Sequence, residues 1–406
     1  MRKDLLRRLP ALVVLAATMM TTACTTGDGE SDYLNGMGES GVATMDASGP
    51  APGLGGGGDG NTQAGIVTAG EWNDLRQWPF WSGLMESQDF GDKPAYWQFY
   101  TNNRVAVSVS DTGGRPVVGA DVALVRGDET LWQTKTDNRG EASLWAGLYQ
   151  EETADSAALT VRIGTELMEG HPLVARWDSV AMAPVNRYVV KAATDVKPQA
   201  DIAFIVDATG SMADEINFLK SDLVDIIGKA AAASPALTLR TAALFYRDEG
   251  DEYVTKHSDF TTKVSETADY VGQQQAMGGG DYPEAVHTAL DQMLQQLTWD
   301  TEARSRLAFL VLDAPAHHET DVIRSLQLSI GVCARMGIKL IPVAASGVDK
   351  NTEFMLRFFA IATGGTYVFL TNHSGVGLDH IAASVGDYEV EPLNSLIVRL
   401  IGEYTE

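Results

Sequence analysis

Three short segments hold the residues best placed to do chemistry. The first reads Asp207-Ala208-Thr209-Gly210-Ser211-Met212. Asp, Thr and Ser at alternate positions in a loop aim three oxygens at one point, and Gly210 permits the turn. The second, Gly278-Gly279-Gly280-Asp281-Tyr282-Pro283-Glu284, is a third acidic loop beside two aspartate-ended strands. Its glycines allow close approach and Pro283 stiffens it. The third is Asp313, in the run Asp313-Ala314-Pro315-Ala316-His317. Carboxylates and hydroxyls gathered in this way make an oxygen-rich site for a hard cation, Mg2+ or alternatively Mn2+ or Ca2+.

Other chemistries find less support. Catalysis needs a general base, a nucleophile or an activated water. The carboxylates would serve metal-assisted hydrolysis in principle, and Asp248, Glu249, Asp251 and Glu252 would add acids nearby. A charge run of that kind reads as a solvated loop. His317 and His318 are adjacent, do not share a helix face, and have no zinc-protease spacing around them; His317 reads as a brace for its loop. The Gly278–Gly280 run is not followed by the Gly-Lys-Ser/Thr of a phosphate-binding loop. No enzymatic activity is expected.

The elements that must position these residues are legible in the apolar pattern. A short continuous apolar run at 202–206 leads into Asp207, and another at 307–312 leads into Asp313. Similar runs occur near 239–246, 338–343 and 367–370, and helical periodicity covers 213–232, 285–297, 321–336 and 352–361. The alternation predicts an α/β unit, a mostly parallel, doubly wound sheet with helices on both faces. In such sheets ligands bind at the carboxyl ends of strands where the strand order switches. The stretch 393–404 reads as a closing helix.

At this point the sequence resembles the von Willebrand factor A domain. Asp207-Ala208-Thr209-Gly210-Ser211-Met212 matches the DxSxS motif of that family's metal-ion-dependent adhesion site, with Thr209 in place of the first Ser. The Asp-Tyr-Pro-Glu and Asp-Ala-Pro-Ala-His segments follow at suitable distances. The likeness covers about 200 residues, from Asp201 on, and is nearest in motif to the integrin β-subunit and hemicentin-like branches and to exported bacterial A domains. The resemblance implies a Rossmann-like fold and a metal held by Asp207, Thr209, Ser211, Glu284 and Asp313. It implies a further cation near Asp214 and Glu215, which also suit a helix N-terminus. A third cation would involve Asp281, but Gly279 stands where that branch has Asn. The implied function is binding a protein that offers a carboxylate to the metal. A recruitment or scaffold role in an envelope or secretion assembly is the rival.

The remainder divides into segments. Residues 1–23 carry a basic start (Arg2, Lys3, Arg7, Arg8) and an apolar run from Leu9 to Met20, too short to span a bilayer. With Cys24 after it, this resembles a bacterial lipoprotein signal, although Thr21 stands where Leu is usual; cleavage after Ala23 by an ordinary signal peptidase is the alternative. Export, a lipid anchor on Cys24 and a cell-envelope location, outer membrane or cell surface, are expected. Residues 24–64 are Gly-rich and predict a disordered tether with a root-mean-square reach of about 35 Å. Residues 65–100 are dense in aromatic rings, which suit packing on the next domain or a binding platform. Residues 101–196 alternate apolar and polar residues between turns, as at Val105, Val107 and Val109, and predict a small all-β sandwich. That stretch resembles carboxypeptidase-regulatory-like modules, which implies a spacer role. Asp137-Asn138-Arg139-Gly140 reads as a hairpin turn. Residues 197–406 complete the chain as the A-type domain.

The formal charge of −24, from 54 acidic and 30 basic residues, disfavours nucleic acid and anionic lipid head groups as partners. Two cysteines, Cys24 and Cys333, exclude a disulfide framework, and Cys333 reads as a core thiol.

Overall fold

The computed structural model describes residue 65 and residues 67–152, 154–175, 182–191, 196–233, 235–372 and 382–406. The signal segment, Cys24 and the Gly-rich stretch lie outside the described residues. In chain order the elements are β1 (Thr68–Trp72), α1 (Trp78–Leu84), α2 (Lys93–Trp97), β2 (Arg104–Asp111), β3 (Asp121–Arg126), β4 (Glu129–Lys135), β5 (Glu141–Trp145), β6 (Thr160–Ile163), β7 (Glu166–Leu167) and β8 (Val185–Val190). There follow β9 (Lys197–Asp207), α3 (Ala213–Ala233), β10 (Thr238–Tyr246), β11 (Thr255–Thr261), α4 (Val264–Gly272), α5 (Val286–Gln296), β12 (Ala303–Leu312) and α6 (Thr320–Met336). The chain closes with β13 (Ile338–Ala344), α7 (Lys350–Thr363), β14 (Tyr367–Leu370), β15 (Glu391–Pro392) and α8 (Leu393–Thr405). Among these no helix is long and apolar enough to cross a membrane.

The larger sheet has eight strands in the order β11-β10-β9-β12-β13-β14-β1-β15. The five from β10 to β14 run parallel, and β11, β1 and β15 add antiparallel edges. The strands are apolar on both faces because helices cover both. Ile202, Phe204 and Val206 pack with α3 and α8, whereas Ala203 and Ile205 pack with α5, α6 and α7. The same alternation holds in β12, where Leu307, Phe309 and Val311 oppose Ala308, Leu310 and Leu312. This is the doubly wound, mostly parallel architecture that the alternating apolar runs predict. Cys333 is buried in α6, and burial pushes its thiol up to about 12.

The chain also forms two smaller sheets, β5-β2-β8 and β4-β3-β6-β7. They face each other across a shared apolar core that includes Val107, Val122, Leu124, Leu144 and Val161, which makes the expected sandwich. The turn at 137–140 differs from the expected hairpin. β4 and β5 lie in different sheets, so this turn is a corner that carries the chain from one sheet to the other. Asp137 Oδ1 accepts from the N–H groups of Arg139 and Glu141 at 2.9 and 2.8 Å, which fixes the turn locally. Gly140, at φ +73°, sits so close to Val109 that a Cβ there would lie 2.4 Å from its carbonyl oxygen. A turn signal in the sequence gives a change of direction but not the strand's partner.

The segment 65–100 joins the larger sheet as well as packing on the sandwich. β1 pairs with β14, so the α/β unit draws on residues far upstream of 197. Trp78, Trp81, Phe90, Trp97 and Phe99 are buried rather than displayed, while Tyr96 is exposed. Trp81 stacks on Phe354 and Phe99 on Phe358, both of α7, with centroids 5.7 and 4.2 Å apart, while Trp78 meets Trp145 of β5 at 5.9 Å. Polar contacts fix the same junction. Arg357 of α7, fully buried, donates from Nε and Nη2 to both oxygens of Asp74, at 2.9 and 2.5 Å, and from Nη1 to Glu353 at 3.3 Å. Removing Asp74 leaves the guanidinium with only Glu353 and Ser384 as anchors. Breaking one partner of a buried pair strands the other charge, so Asp74→Ala is expected to cost about 3 kcal/mol. Urea denaturation followed by tryptophan fluorescence measures it, and the double variant with Arg357→Met should cost less than the sum of the two single changes.

Candidate functional site

The order of the parallel strands reverses between β9 and β12. β9 connects through α3 to β10 on one side, while β12, β13 and β14 run outward on the other. Asp207 ends β9 and Asp313 follows β12 at this switch point. The register fixes their proximity, because Val206 is level with Val311. Each carboxylate is buried, and each acts on the other electrostatically.

Backbone hydrogen bonds draw the loops together. Gly210 N–H donates to the Gly278 carbonyl at 3.0 Å, and Met277 N–H donates to the Ala208 carbonyl at 2.9 Å. Glu284 N–H donates to the Pro315 carbonyl at 2.9 Å, which ties the second acidic loop to the segment after Asp313. The glycines have steric reasons here. Gly278 and Gly279 adopt φ of +83° and +74°, a region unfavourable to other residues. A Cβ on Gly279 would lie 2.9 Å from Glu284 Oε1 and 3.2 Å from Thr209 Cβ. Gly279 N–H also donates to Asp251 Oδ2 at 2.9 Å.

Asp207, Thr209 and Ser211 thus meet at one place, and Glu284 and Asp313 come within electrostatic range of Asp207. Thr209 donates from its hydroxyl and its N–H to Asp207 Oδ1, at 2.7 and 2.8 Å, and its Oγ1 lies 3.2 Å from Ser211 Oγ. Two carboxylate oxygens, Asp207 Oδ2 and Glu284 Oε2, are buried without a hydrogen-bond partner of normal geometry, as is the Tyr246 hydroxyl beside Asp207. Burial, then repulsion from Asp313, raises the Asp207 carboxyl to about 7. Burial, then repulsion from Asp207, Asp248 and Asp313, raises Glu284 to about 9. Among the described residues no three His, Cys, Asp or Glu side chains are gathered into a ready-made metal cage. The acids act on one another at electrostatic range, and the Thr209 and Ser211 hydroxyls lie on the Asp207 side of the cluster. The donor set is all oxygen, and with two buried oxygens unsatisfied it fits a hard cation that keeps part of its water.

The remaining candidate residues are placed differently. Asp281 is exposed. Asp214 and Glu215 lie in the first turn of α3, and their side chains are outside the described residues. His317 braces its loop as the sequence suggests, with Nε2 2.7 Å from Asp248 Oδ1.

Sequence reasoning gave no role to three residues that shape the site. Arg247, at the end of β10, donates to the Ala208 carbonyl at 3.2 Å and to the Gln275 carbonyl at 3.0 Å, and so holds the first two loops in place. Tyr246 ends β10 level with Asp207. Tyr282 accepts from Asp349 N–H at 3.1 Å and lies 3.3 Å from Thr352 Oγ1, which ties the second loop to the start of α7. An arginine directly after a buried strand, in an otherwise acidic loop, was the one available signal.

Both carboxyls keep their protons to higher pH in the fold than in the unfolded chain, whose groups titrate near 3.8 and 4.5. The unfolded state therefore binds fewer protons over that window, and stability falls as pH rises. In chelator, the thermal midpoint is expected to drop from about pH 4 through about 7 for Asp207 and about 9 for Glu284. Asp207→Asn should flatten the part of that decline below neutral pH in scanning calorimetry.

Comparison with known proteins places a family on this segment. Residues 201–330 match the family model described as von Willebrand factor A domain. Curated relatives include an ariadne-like RING finger protein R811 of Acanthamoeba polyphaga mimivirus, 29% identical over 127 residues, which are 31% of this chain and 12% of that protein. The alpha-protein kinase vwkA of Dictyostelium discoideum is 30% identical over 119 residues, 29% of this chain and 19% of the kinase. The chain thus spans less than a fifth of either relative. Similar solved structures include a conserved hypothetical protein, BatB, from Bacteroides thetaiotaomicron, 10% identical, with 50% of this chain and 98% of that one covered and a TM-score of 0.36. Another is the pilus adhesin SpaC from Lactobacillus rhamnosus GG in an open conformation, 12% identical, with 52% and 30% covered and a TM-score of 0.37. Both superpositions are loose, and the family assignment rests on the sequence match.

Proposed function

Proceeding from the von Willebrand factor A domain at residues 201–330, we propose that this chain binds a partner protein through a divalent cation and catalyses no reaction. Asp207, Thr209, Ser211, Glu284 and Asp313 hold the cation, Mg2+ first, with Mn2+ or Ca2+ as substitutes. The bound cation supplies an open coordination position for a carboxylate of the partner. The observation that carries this reading is a pair of buried carboxylate oxygens, Asp207 Oδ2 and Glu284 Oε2, that lack a hydrogen-bond partner of normal geometry, Asp207 having, beyond Thr209, only the Tyr246 hydroxyl at hand. Unsatisfied buried polar atoms are costly, and burying unneutralised carboxylates is costlier. A cation offsets both costs at once.

The protein's own groups then have separable roles. Asp207 Oδ1 fixes the Thr209 hydroxyl, and the Gly278–Gly279 turn brings Glu284 against Thr209. Arg247 and the two loop–loop backbone bonds keep this arrangement in register. We further propose that the chain is exported through residues 1–23, anchored by lipid at Cys24, and held off a cell-envelope surface by residues 24–64.

Thermal unfolding with EDTA, Mg2+, Mn2+ or Ca2+ tests the reading. A cation that binds only the native state, at 100 times its dissociation constant, adds about 2.7 kcal/mol. The midpoint is expected to rise with cation in the wild type and to stay unchanged in Asp207→Ala. Retention on a carboxylate-bearing resin should require cation in the wild type and be absent in the variant. A midpoint that no cation moves would sink the metal bridge.

A further inference from the structure

A cavity of about 330 Å3 lies at the opposite end of the larger sheet, where that sheet meets the sandwich. Its walls come from the start of β13, the end of α7, the turn after β1, and strands β2 and β5. The volume is at the lower end of ordinary small-molecule sites, about 300–1,000 Å3.

Its charge runs against that of the chain. Five cationic side chains line it (Arg76, Arg104, Lys135, Arg139 and Lys339) against three acids, Asp137, Glu141 and Glu403. Most of these neutralise one another at the rim. Arg76 and Arg139 approach Glu403 at 3.5 and 3.8 Å, and Lys135 pairs with Asp121 at 2.7 Å.

Arg104, deeper in the wall, is not matched in this way, and Lys339 is matched only at the limit of ion-pair range. Arg104 is 7% exposed, and among the described residues no carboxylate stands within ion-pair distance of it. Its Nη1 donates to the Leu75 carbonyl at 2.9 Å and its Nε to Ser143 Oγ at 3.2 Å, while the guanidinium lies over the Trp78 ring. Glu141 acts on it only from a distance. Lys339 donates to the Gly364 carbonyl at 3.2 Å, and its one carboxylate neighbour, Asp137, is 4.0 Å away. Asp137 Oδ1 accepts two backbone N–H groups, and its Oδ2 is the oxygen that faces Lys339. A buried guanidinium without a counter-ion is unfavourable unless something supplies one. The mixed lining also includes the apolar side chains of Leu75, Ala106 and Ala362.

We propose that this cavity binds a small organic carboxylate. The anionic group is drawn to Arg104 and Lys339, and the apolar body rests on Leu75, Ala106 and Ala362. Arg104 suits the role because its buried positive charge has no ion-pair partner, and its Nη2 no hydrogen-bond acceptor, among the described residues. Such a ligand would touch the sandwich and the larger sheet together.

Thermal unfolding of the full chain with benzoate or succinate tests this. Inorganic phosphate and sodium chloride at equal ionic strength serve as comparison arms. The midpoint is expected to rise with a carboxylate, with the apparent affinity at least tenfold weaker in Arg104→Gln and in Lys339→Met. If Arg104→Gln does not fold, Lys339→Met alone decides. No rise with either carboxylate, an equal rise with phosphate or chloride, or an affinity unchanged in Lys339→Met would overturn the proposal.

Discussion

The site depends on one constraint, the parallel register of β9 against β12. Val206 level with Val311 sets Asp207 beside Leu312, one residue before Asp313, so that both carboxylates are buried at neighbouring strand ends. Repulsion between them opposes this placement, as the raised Asp207 carboxyl records. The strands accept it because their apolar faces are covered on both sides, so slipping the register would turn Phe204 and Phe309 away from their own helices. The loops merely finish what the register begins. Gly210 meets Gly278, Met277 meets Ala208, and Glu284 meets Pro315, each through a backbone bond that needs no particular side chain.

A second dependency runs from the site through α7. Tyr282, in the loop that carries Glu284, meets Asp349 and Thr352 at the head of that helix. Four to eight residues on, Glu353 and Arg357 bind Asp74 and Ser384. The chain from loop to helix to the segment before the sandwich is continuous packing and hydrogen bonding. Rearrangement of the Glu284 loop would therefore be resisted by residues that belong to a different part of the sequence. The edge strand β1 adds to this resistance, since it pairs with β14 along four residues.

Much of the fold was legible because long apolar runs and 3.6-residue periodicity leave few alternatives. The strands ending at Asp207 and Asp313 could be read directly, since an uninterrupted apolar run demands cover on both faces. What escaped had weak local signals. β11, Thr255–Thr261, is a largely wet edge strand, so it lacks the alternation that burial imposes. β1 is five residues long and gains its place only by pairing with β14. The corner at Asp137 looked like a hairpin because turn chemistry is local, whereas the strand partner is chosen by packing. At the site, the motif residues were readable from types and spacing. The roles of Arg247 and Tyr282 were not, because they act on backbone atoms of loops distant in sequence.

Two buried acids away from the candidate site are treated differently from those in it. Asp201, fully buried, is clamped by Arg240 through both oxygens at 2.8 and 2.5 Å. Arg357 holds Asp74 through both oxygens in the same manner. In each case the fold provides the counter-charge itself, with the fork geometry that suits a carboxylate. An arginine is also present beside the candidate site, yet it is used differently. Arg247 spends its Nε and Nη2 on the carbonyls of Ala208 and Gln275, and its one carboxylate neighbour is the exposed Glu252 at 3.8 Å. Asp207 and Glu284 are left facing each other with raised protonation and unpartnered oxygens. The sequence thus contains the means to neutralise this cluster within hydrogen-bonding distance of its loops, and directs that charge to holding the loops open toward one another instead. A stability requirement alone would favour the opposite use. The arrangement is what the proposed binding role calls for, in which positive charge arrives from solution.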